Sequence, residues 1–448
     1  MEFSLSPGTH LPTSTGLDCS HSSMMQWLKM VLRIVAASAA LFCRQALSTE
    51  MDDQKNRLVR DAITTSLICD GSVVADTAGG TRTGVAYVGN LRLQLALDGK
   101  QLFRTPGWTA FFQALSIHGS QPSGFIGDAQ GVNSYEAKSA LRLYEAWGQY
   151  SSLKGRWSFL FGRYDLGSEF YRLASSGLFL NSSFGMGPEF SQSGIGGPSI
   201  FPDTSIGARV TFKPSPGVLI RSAIMDGAPA NRIDGEVRFP EQKEGLLLVS
   251  EIASLTRRES DDSRGVAKYM IGRGSNFPAY DDKFAIGVWH YTGTFRDLSL
   301  VDSVGRPVKH DGSGGAYVLL DRTLLRSAAS PRTRLSGFLQ SGVGDGRVDR
   351  FRSFAATGLR ASGLIAGRPD DMFGIAISFA RNGSHYIDTL KEMAVPVTRA
   401  ETSIEATYLL QATPNFAVQP DIQYVIHPGT SPARANGTVL QVHFQLML

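Results

Sequence analysis

After its first fifty residues the chain has no window of about 18 consecutive apolar residues, which excludes a bundle of membrane-spanning helices. Cysteine is scarce, with three in 448 residues. Cys19 and Cys43 fall in a segment expected to be removed, so Cys69 is left alone and no intramolecular disulfide is available. There is little excess charge of either sign. The net charge is +4, with basic residues scattered among acidic ones, so no stripe exists to follow a phosphate backbone and nucleic acid is excluded as a partner. Catalytic motifs are missing as well: the chain has no Gly-x-Ser-x-Gly elbow, no His-Glu-x-x-His and no phosphate-cradling glycine loop before Lys-Ser or Lys-Thr. Gly342-Val343-Gly344-Asp345-Gly346 lacks the spacing of a phosphate loop and reads as a hairpin connector. His118, His290, His310, His385, His427 and His443 are far apart, none at metal-clip spacing, and read as solvated or interfacial residues. No catalytic residue, metal ligand or cofactor is expected.

What is present favours strands. The 48 glycines, 25 Phe, 13 Tyr and 5 Trp suit turns and sheets better than helices, since glycine weakens helix interiors and aromatic residues fit pleated surfaces. Near the start, Lys29 and Arg33 precede the apolar run from Ile34 to Cys43, and Ala46-Leu47-Ser48 supplies small residues for a signal peptidase. Residues 1–48 are therefore expected to be an N-terminal extension and signal peptide, with Met24 or Met25 as a candidate start and cleavage after Ser48. An exported chain that is apolar only in alternation fits a transmembrane β-barrel.

The alternation is clearest at residues 205–213, where Ile206, Ala208, Val210 and Phe212 interleave with Gly207, Arg209, Thr211 and Lys213. Comparable runs lie at 91–97, 108–117, 141–150, 157–164, 218–225, 246–252, 284–291, 317–320, 335–340, 373–379, 404–410, 416–425 and 439–448, with a weaker one at 354–364. Connectors alternate between tight turns, as at Pro214-Ser215-Pro216-Gly217 and Thr413-Pro414-Asn415, and long segments such as 166–203 and 382–399. If the tight turns face the periplasm, an upward strand must precede residue 91, and residues 66–77 supply it. The expected fold is all-β: a transmembrane antiparallel barrel of about 16 strands over residues 66–448, preceded by a short periplasmic segment at 49–65. One connector, 256–282, is long and charged where a short turn is due, so it carries an insertion or the count is off by two. Trp108, Trp147, Tyr150, Trp157, Tyr164, Trp289, Tyr291, Tyr408 and Tyr424 lie near strand ends, where rings can sit at the headgroup level.

Several patches occur in a fixed order. They are Arg142-Leu143-Tyr144-Glu145-Ala146-Trp147, Gly162-Arg163-Tyr164-Asp165, Glu169-Phe170, and the long stretch from Ser176-Gly177-Leu178-Phe179-Leu180-Asn181 through Gly187-Pro188-Glu189-Phe190-Ser191. Gly197-Pro198-Ser199-Ile200-Phe201-Pro202, Met225-Asp226-Gly227, Gly287-Val288-Trp289-His290-Tyr291-Thr292 and Gly367-Arg368-Pro369-Asp370-Asp371 follow. In these patches the chain resembles the carbohydrate-selective porins of the OprB family. The resemblance implies a sixteen-stranded barrel in the outer membrane of a Gram-negative bacterium that passes glucose and related sugars by diffusion, as a monomer or a homotrimer, in contact with outer-membrane lipid.

Residues 166–203 form the third outside loop, which in general porins folds into the lumen. Here Phe170, Tyr171, Phe179, Phe184 and Phe190 are expected to offer ring faces to sugars, with Arg163, Asp165, Glu169, Asn181 and Glu189 as polar constriction residues. Arg92, Arg142, Glu145, Arg209 and Arg221 on strand polar faces are expected to line the pore, where arginine forks can bond vicinal hydroxyls. Two other classes compete. A barrel-embedded hydrolase needs Ser, His and an acid on adjacent strands, and a secreted carbohydrate-binding β-sandwich predicts evenly short connectors.

Overall fold

In the computed structural model the described residues are 62–229, 245–256, 280–328 and 333–448. The expected signal segment and residues 49–61 lie outside them. The barrel starts at Ile63, three residues before the expected boundary, because Ile63 to Ser66 already pair with Leu97 to Gln94.

Sixteen antiparallel strands close on themselves, each pairing with its neighbours in sequence and the first with the last. The strands are β1 (Ile63–Gly80), β2 (Gly84–Asp98), β3 (Trp108–Gly119), β4 (Ala140–Ser151), β5 (Trp157–Tyr164), β6 (Ser205–Ser215), β7 (Val218–Asp226) and β8 (Leu246–Thr256). The second half comprises β9 (Asp282–Val301), β10 (Pro307–Arg326), β11 (Arg334–Val343), β12 (Phe351–Ser362), β13 (Met372–Asn382), β14 (Ala400–Thr413), β15 (Phe416–Ile426) and β16 (Ala435–Met447). Closure satisfies every edge, the condition for exposing a sheet to hydrocarbon. Leu67 and Leu448 exchange backbone hydrogen bonds of 2.9 and 2.8 Å at the seam.

The weak run at 354–364 is a full strand, β12, and the long connector after β8 does not disturb the count, since β8 and β9 pair directly. Residues 257–279 of that connector lie outside the described residues. Tight two-residue turns join β6 to β7 and β14 to β15, and the long connectors after β3, β5 and β13 lie at the opposite end, whereas the one between β8 and β9 belongs to the tight-turn end. A spanning strand needs about 9–11 residues, so the 20-residue β9 and β10 project beyond the rim at the long-loop end.

Along β9, Phe284, Ile286 and Val288 are exposed outward while Lys283, Ala285, Trp289 and Tyr291 are buried inside. The same alternation sorts the aromatics. Trp108, Tyr150, Trp157 and Tyr424 stand on the outer wall, and Trp157 stacks on Phe212 with centroids 4.2 Å apart. Trp147, Tyr164, Trp289 and Tyr291 are instead buried on the inner side, where they pack against inward loops rather than lipid. The histidines also divide. His443 faces inward, bonded to Ser72 and stacked on Tyr135 at 4.6 Å, whereas His310 and His385 each bond Asp297 at 2.8 Å. That pairing is not legible in the residue pattern, because 75 residues separate the two rings.

Candidate permeation site

The connector between β5 and β6, residues 165–204 (L3), folds into the barrel. Its two ends are tied together by the Leu166 N–H bonded to the Ser199 carbonyl at 2.7 Å. The loop reaches almost to the tight-turn end. There Lys283 donates to the Arg172 carbonyl at 2.9 Å and Arg360 to the Ala174 carbonyl at 2.8 Å. The Ser175 N–H and hydroxyl both reach the Asp321 carboxylate, at 2.9 and 2.6 Å. L3 then crosses to the far wall, where Gln419 bonds the Leu178 carbonyl at 2.8 Å and Glu405 accepts the Leu180 and Asn181 N–H groups at 2.6 and 3.0 Å. A segment with so little regular structure needs such partners, because buried amides without them are costly.

The L3 rings expected to face sugar are packed on protein. Phe179, Phe184 and Phe338 form a cluster with centroids 5.0, 5.7 and 6.1 Å apart, and Phe190 lies parallel to Trp289 at 4.9 Å. Phe170 is buried beneath the Arg221 guanidinium, 5.7 Å from its ring centre. Burial removes more free energy cost here than exposure to a wet channel would, so the rings fix the loop in place. Asn181 is likewise buried, bonded to Ser403 and Gln423. Glu189 is buried with one oxygen accepting from the Tyr171 hydroxyl at 2.8 Å and the other without a partner, and burial pushes its carboxyl up to about 7. Its seat exists because position 342 is glycine: a Cβ there would fall 1.9 Å from Glu189 Oε1. The glycine motif at 342–346 thus makes room for L3.

Arg163 is not in the constriction. It follows Trp157, Phe159 and Phe161 on the outward parity of β5, at the long-loop rim, and its guanidinium donates to the Thr204 carbonyl at 2.7 Å. Counting alternation along β5 from Trp157 would have placed it correctly.

Arg92, Arg142, Glu145, Arg209 and Arg221 take the inward parity of their strands, Glu145 and Arg209 being buried there. Arg209 donates to Glu169 (2.8 Å), Ser158 (2.6 Å) and Gln149 (2.7 Å), and Arg221 donates to the Glu169 carbonyl at 2.7 Å. Glu145 accepts the Asp165 N–H at 3.2 Å, and Asp165 in turn accepts from the Tyr144 hydroxyl at 2.7 Å. Arg92 is held by Asp70 at 2.5 Å, and Arg142 pairs with Asp203. Arg92, Arg142, Arg221 and Glu169 keep 11, 20, 14 and 23% of their side-chain surface accessible. On the opposite wall Glu401, Ser403, Glu405 and Gln423 are completely covered by loops. Of these wall groups, the accessible ones lie on one side, along β2, β4, β7 and the L3 stem.

A second loop folds inward without a sequence signal that announces it. The connector between β3 and β4, residues 120–139 (L2), is held by Glu401, which accepts the Ala129 and Gln130 N–H groups at 2.8 and 2.9 Å, and by Gln423 and Gln441 on the Val132 carbonyl. L2 and L3 also bind each other. The Ser134 N–H reaches the Leu180 carbonyl at 2.7 Å, and the Ser182 N–H reaches the Gly131 carbonyl at 2.8 Å. Backbone bonding of this kind leaves little trace in side-chain pattern.

The family model described as "Carbohydrate-selective porin, OprB family" matches residues 82–447. Among solved structures, the high-pH structure of Pseudomonas putida OprB is similar, with a TM-score of 0.74 and 17% identity over 88% of this chain and 96% of that one. The low-pH structure of the same protein gives 0.53 and 14% over 88% and 95%. At these identities the structural likeness shows the fold. A search of curated proteins finds no match.

Proposed function

The chain belongs to the OprB family of carbohydrate-selective porins, and from that premise we propose that sugars cross it by passive diffusion through the space between L2, L3 and the β2–β7 wall, in the outer membrane of a Gram-negative bacterium. The observation that carries this reading is the one-sided distribution of accessible polar groups, with Arg92, Arg142, Arg221 and Glu169 reachable while the facing wall is sealed. A pyranose presents hydroxyls in pairs, which an arginine fork and a carboxylate can bond together as donor and acceptor. Each of these groups already has a protein partner, so a sugar exchanges one hydrogen bond for another. Binding is then weak enough to release, which conduction requires.

Movement follows the solute gradient, with no covalent step and no cofactor. The family and the fold are those of channels rather than enzymes. On this reading both inward loops belong to the same barrel as the wall they face, so a protomer conducts whether it stands alone or in a trimer. Glucose-like solutes are the proposed substrates. Single-channel conductance in a planar bilayer, titrated with glucose, maltose and a cationic amino acid, tests the reading. Concentration-dependent block by the two sugars at lower concentration than by the amino acid supports it. Failure to form channels, or conductance indifferent to sugar, rejects it.

A further inference from the structure

The outer wall carries a feature that permeation does not use. On β4 to β8 the outward side chains form two neighbouring rows. Along one row Gly148 pairs with Phe161 and Phe161 with Ala208; along the other Phe159 pairs with Val210, Val210 with Ser222 and Ser222 with Ser250. Small residues thus interrupt a wall of large ones. The result is a depression of about 640 Å³ with Gly148, Ala208, Ser222 and Ser250 in its floor and Trp108, Phe159 and Phe161 among the rings beside it. A Cβ added at Gly148 would meet nothing within 4 Å. The Ser222 and Ser250 hydroxyls bond each other at 2.8 Å, so each has one partner within the floor and the floor carries no charge. Arg209 contributes only backbone, its guanidinium being turned inward onto Glu169.

We propose that this depression binds one acyl chain of a phospholipid, an inference that rests on the reading of the outer wall as facing a bilayer. A groove without charge at hydrocarbon depth can be filled only by lipid or by another apolar surface. Size decides between them. Five strands about 4.8 Å apart and two side-chain rows about 7 Å deep give about 130 Å², against about 800 Å² per partner for a specific protein interface. A second barrel is also convex and would bridge the hollow, leaving a void whose lining atoms lack dispersion partners. A flexible chain follows the hollow and touches protein on several sides. Trp108 and Tyr150, with ring centroids 5.4 Å apart, mark the tight-turn end of the groove. Rings of this kind sit at the headgroup level, so the chain enters from the leaflet on the tight-turn side.

The full-length exported protein, reconstituted with phosphatidylethanolamine and phosphatidylglycerol and then extracted in mild detergent, is examined by native mass spectrometry. Ala208→Phe and Gly148→Leu fill the groove from its lipid side. Ala355→Phe, at an exposed outward position on β12, is the control. Wild type and the control are expected to retain a phospholipid adduct that both filling variants lose at least fivefold. Equal retention in all four proteins overturns the proposal. So does a wild-type dimer or trimer that the filling variants dissociate, because the occupant would then be a second copy. Glucose block measured on the same proteins separates the two readings: it is expected to be unchanged by the filling variants, and its absence from wild type counts against the porin reading alone. A measurement that needs no variant is quenching of wild-type tryptophan fluorescence by chain-brominated phosphatidylethanolamine mixed into an excess of unlabelled lipid. Quenching that saturates at low mole fraction supports the site, and quenching strictly proportional to mole fraction overturns it.

Discussion

Asn181 in L3 donates its backbone N–H to the carboxylate of Glu405 on β14 at 3.0 Å, while Leu180 donates to the other oxygen at 2.6 Å. Four residues earlier on the same face, Glu401 does the same for Ala129 and Gln130 of L2. Two wall carboxylates thus hold two loops that are themselves bonded to each other. A buried hydrogen bond contributes about 0.5–1.5 kcal/mol net. Replacing Glu405 with Ala should release the crossing part of L3 while leaving the strand ladder, and hence the heat-dependent gel mobility of the folded barrel, intact. The expected outcome is a several-fold larger single-channel conductance with weaker sugar block; an unchanged conductance would falsify the anchoring role.

Glu169 is shared by two guanidiniums, with Arg209 Nε at 2.8 Å and Arg221 Nε at 3.6 Å from one oxygen. Glu169→Gln removes the negative charge these two guanidiniums share, leaving the buried Arg209 and the partly accessible Arg221 without it at the edge of the channel. Permeability for chloride over potassium, read from the reversal potential in a KCl gradient, should rise several-fold. Arg221→Ala should move it the other way. Both effects should be largest at low ionic strength, where screening is weakest. Reversal potentials identical to wild type in both variants would show that this cluster is remote from the ion path.

The barrel was legible in the sequence because lipid on one side and water on the other force a period of two, and even β12, the weakest run, keeps it with Phe354 and Ala356 inside and Ala355 and Thr357 outside. Loop chemistry was harder to read. The aromatics of L3 are what a sugar contact would need, and they are also what a loop needs to pack inside a barrel; composition does not separate the two. The anchoring role of Glu401 and Glu405 did leave a signal, since both occupy the inward parity of β14 among Ser403 and Thr407. A carboxylate at the centre of such a strand needs a partner, and the inward loops are what supply it.

Glu189 makes the seat of L3 sensitive to pH. Burial raises its carboxyl to about 7 from an ordinary value of 4.5. The folded state therefore holds the proton more tightly than the unfolded one, and the sign follows: stability is greatest below about pH 4.5, falls as pH rises towards 7, and is level above that. The full difference corresponds to an upper bound of about 3 kcal/mol. Glu189→Gln keeps an acceptor for the Tyr171 hydroxyl and removes the titration. Current noise from loop movement is expected to increase between pH 4.5 and 7 in the wild type and to stay constant in the variant. The same slope in both would assign the pH response to another group.

Phe179 and Phe184 offer the sharpest separation between an anchoring and a sugar-contacting L3. Both rings are buried against Phe338, and Gly374 on β13 leaves the space that Phe179 fills, since a Cβ there would lie 2.8 Å from the ring. Truncation of a buried phenylalanine to alanine typically costs 3–5 kcal/mol, which is large beside the few bonds that hold this stretch of loop. If the rings anchor the loop, Phe179→Ala and Phe184→Ala should both enlarge conductance and weaken block by every solute alike, and Phe184→Leu should restore most of the wild-type behaviour. If instead they touched sugar, alanine would lower sugar affinity at constant conductance, and leucine, having no ring face, would not rescue it. Conductance and glucose affinity measured together on the three variants distinguish these outcomes.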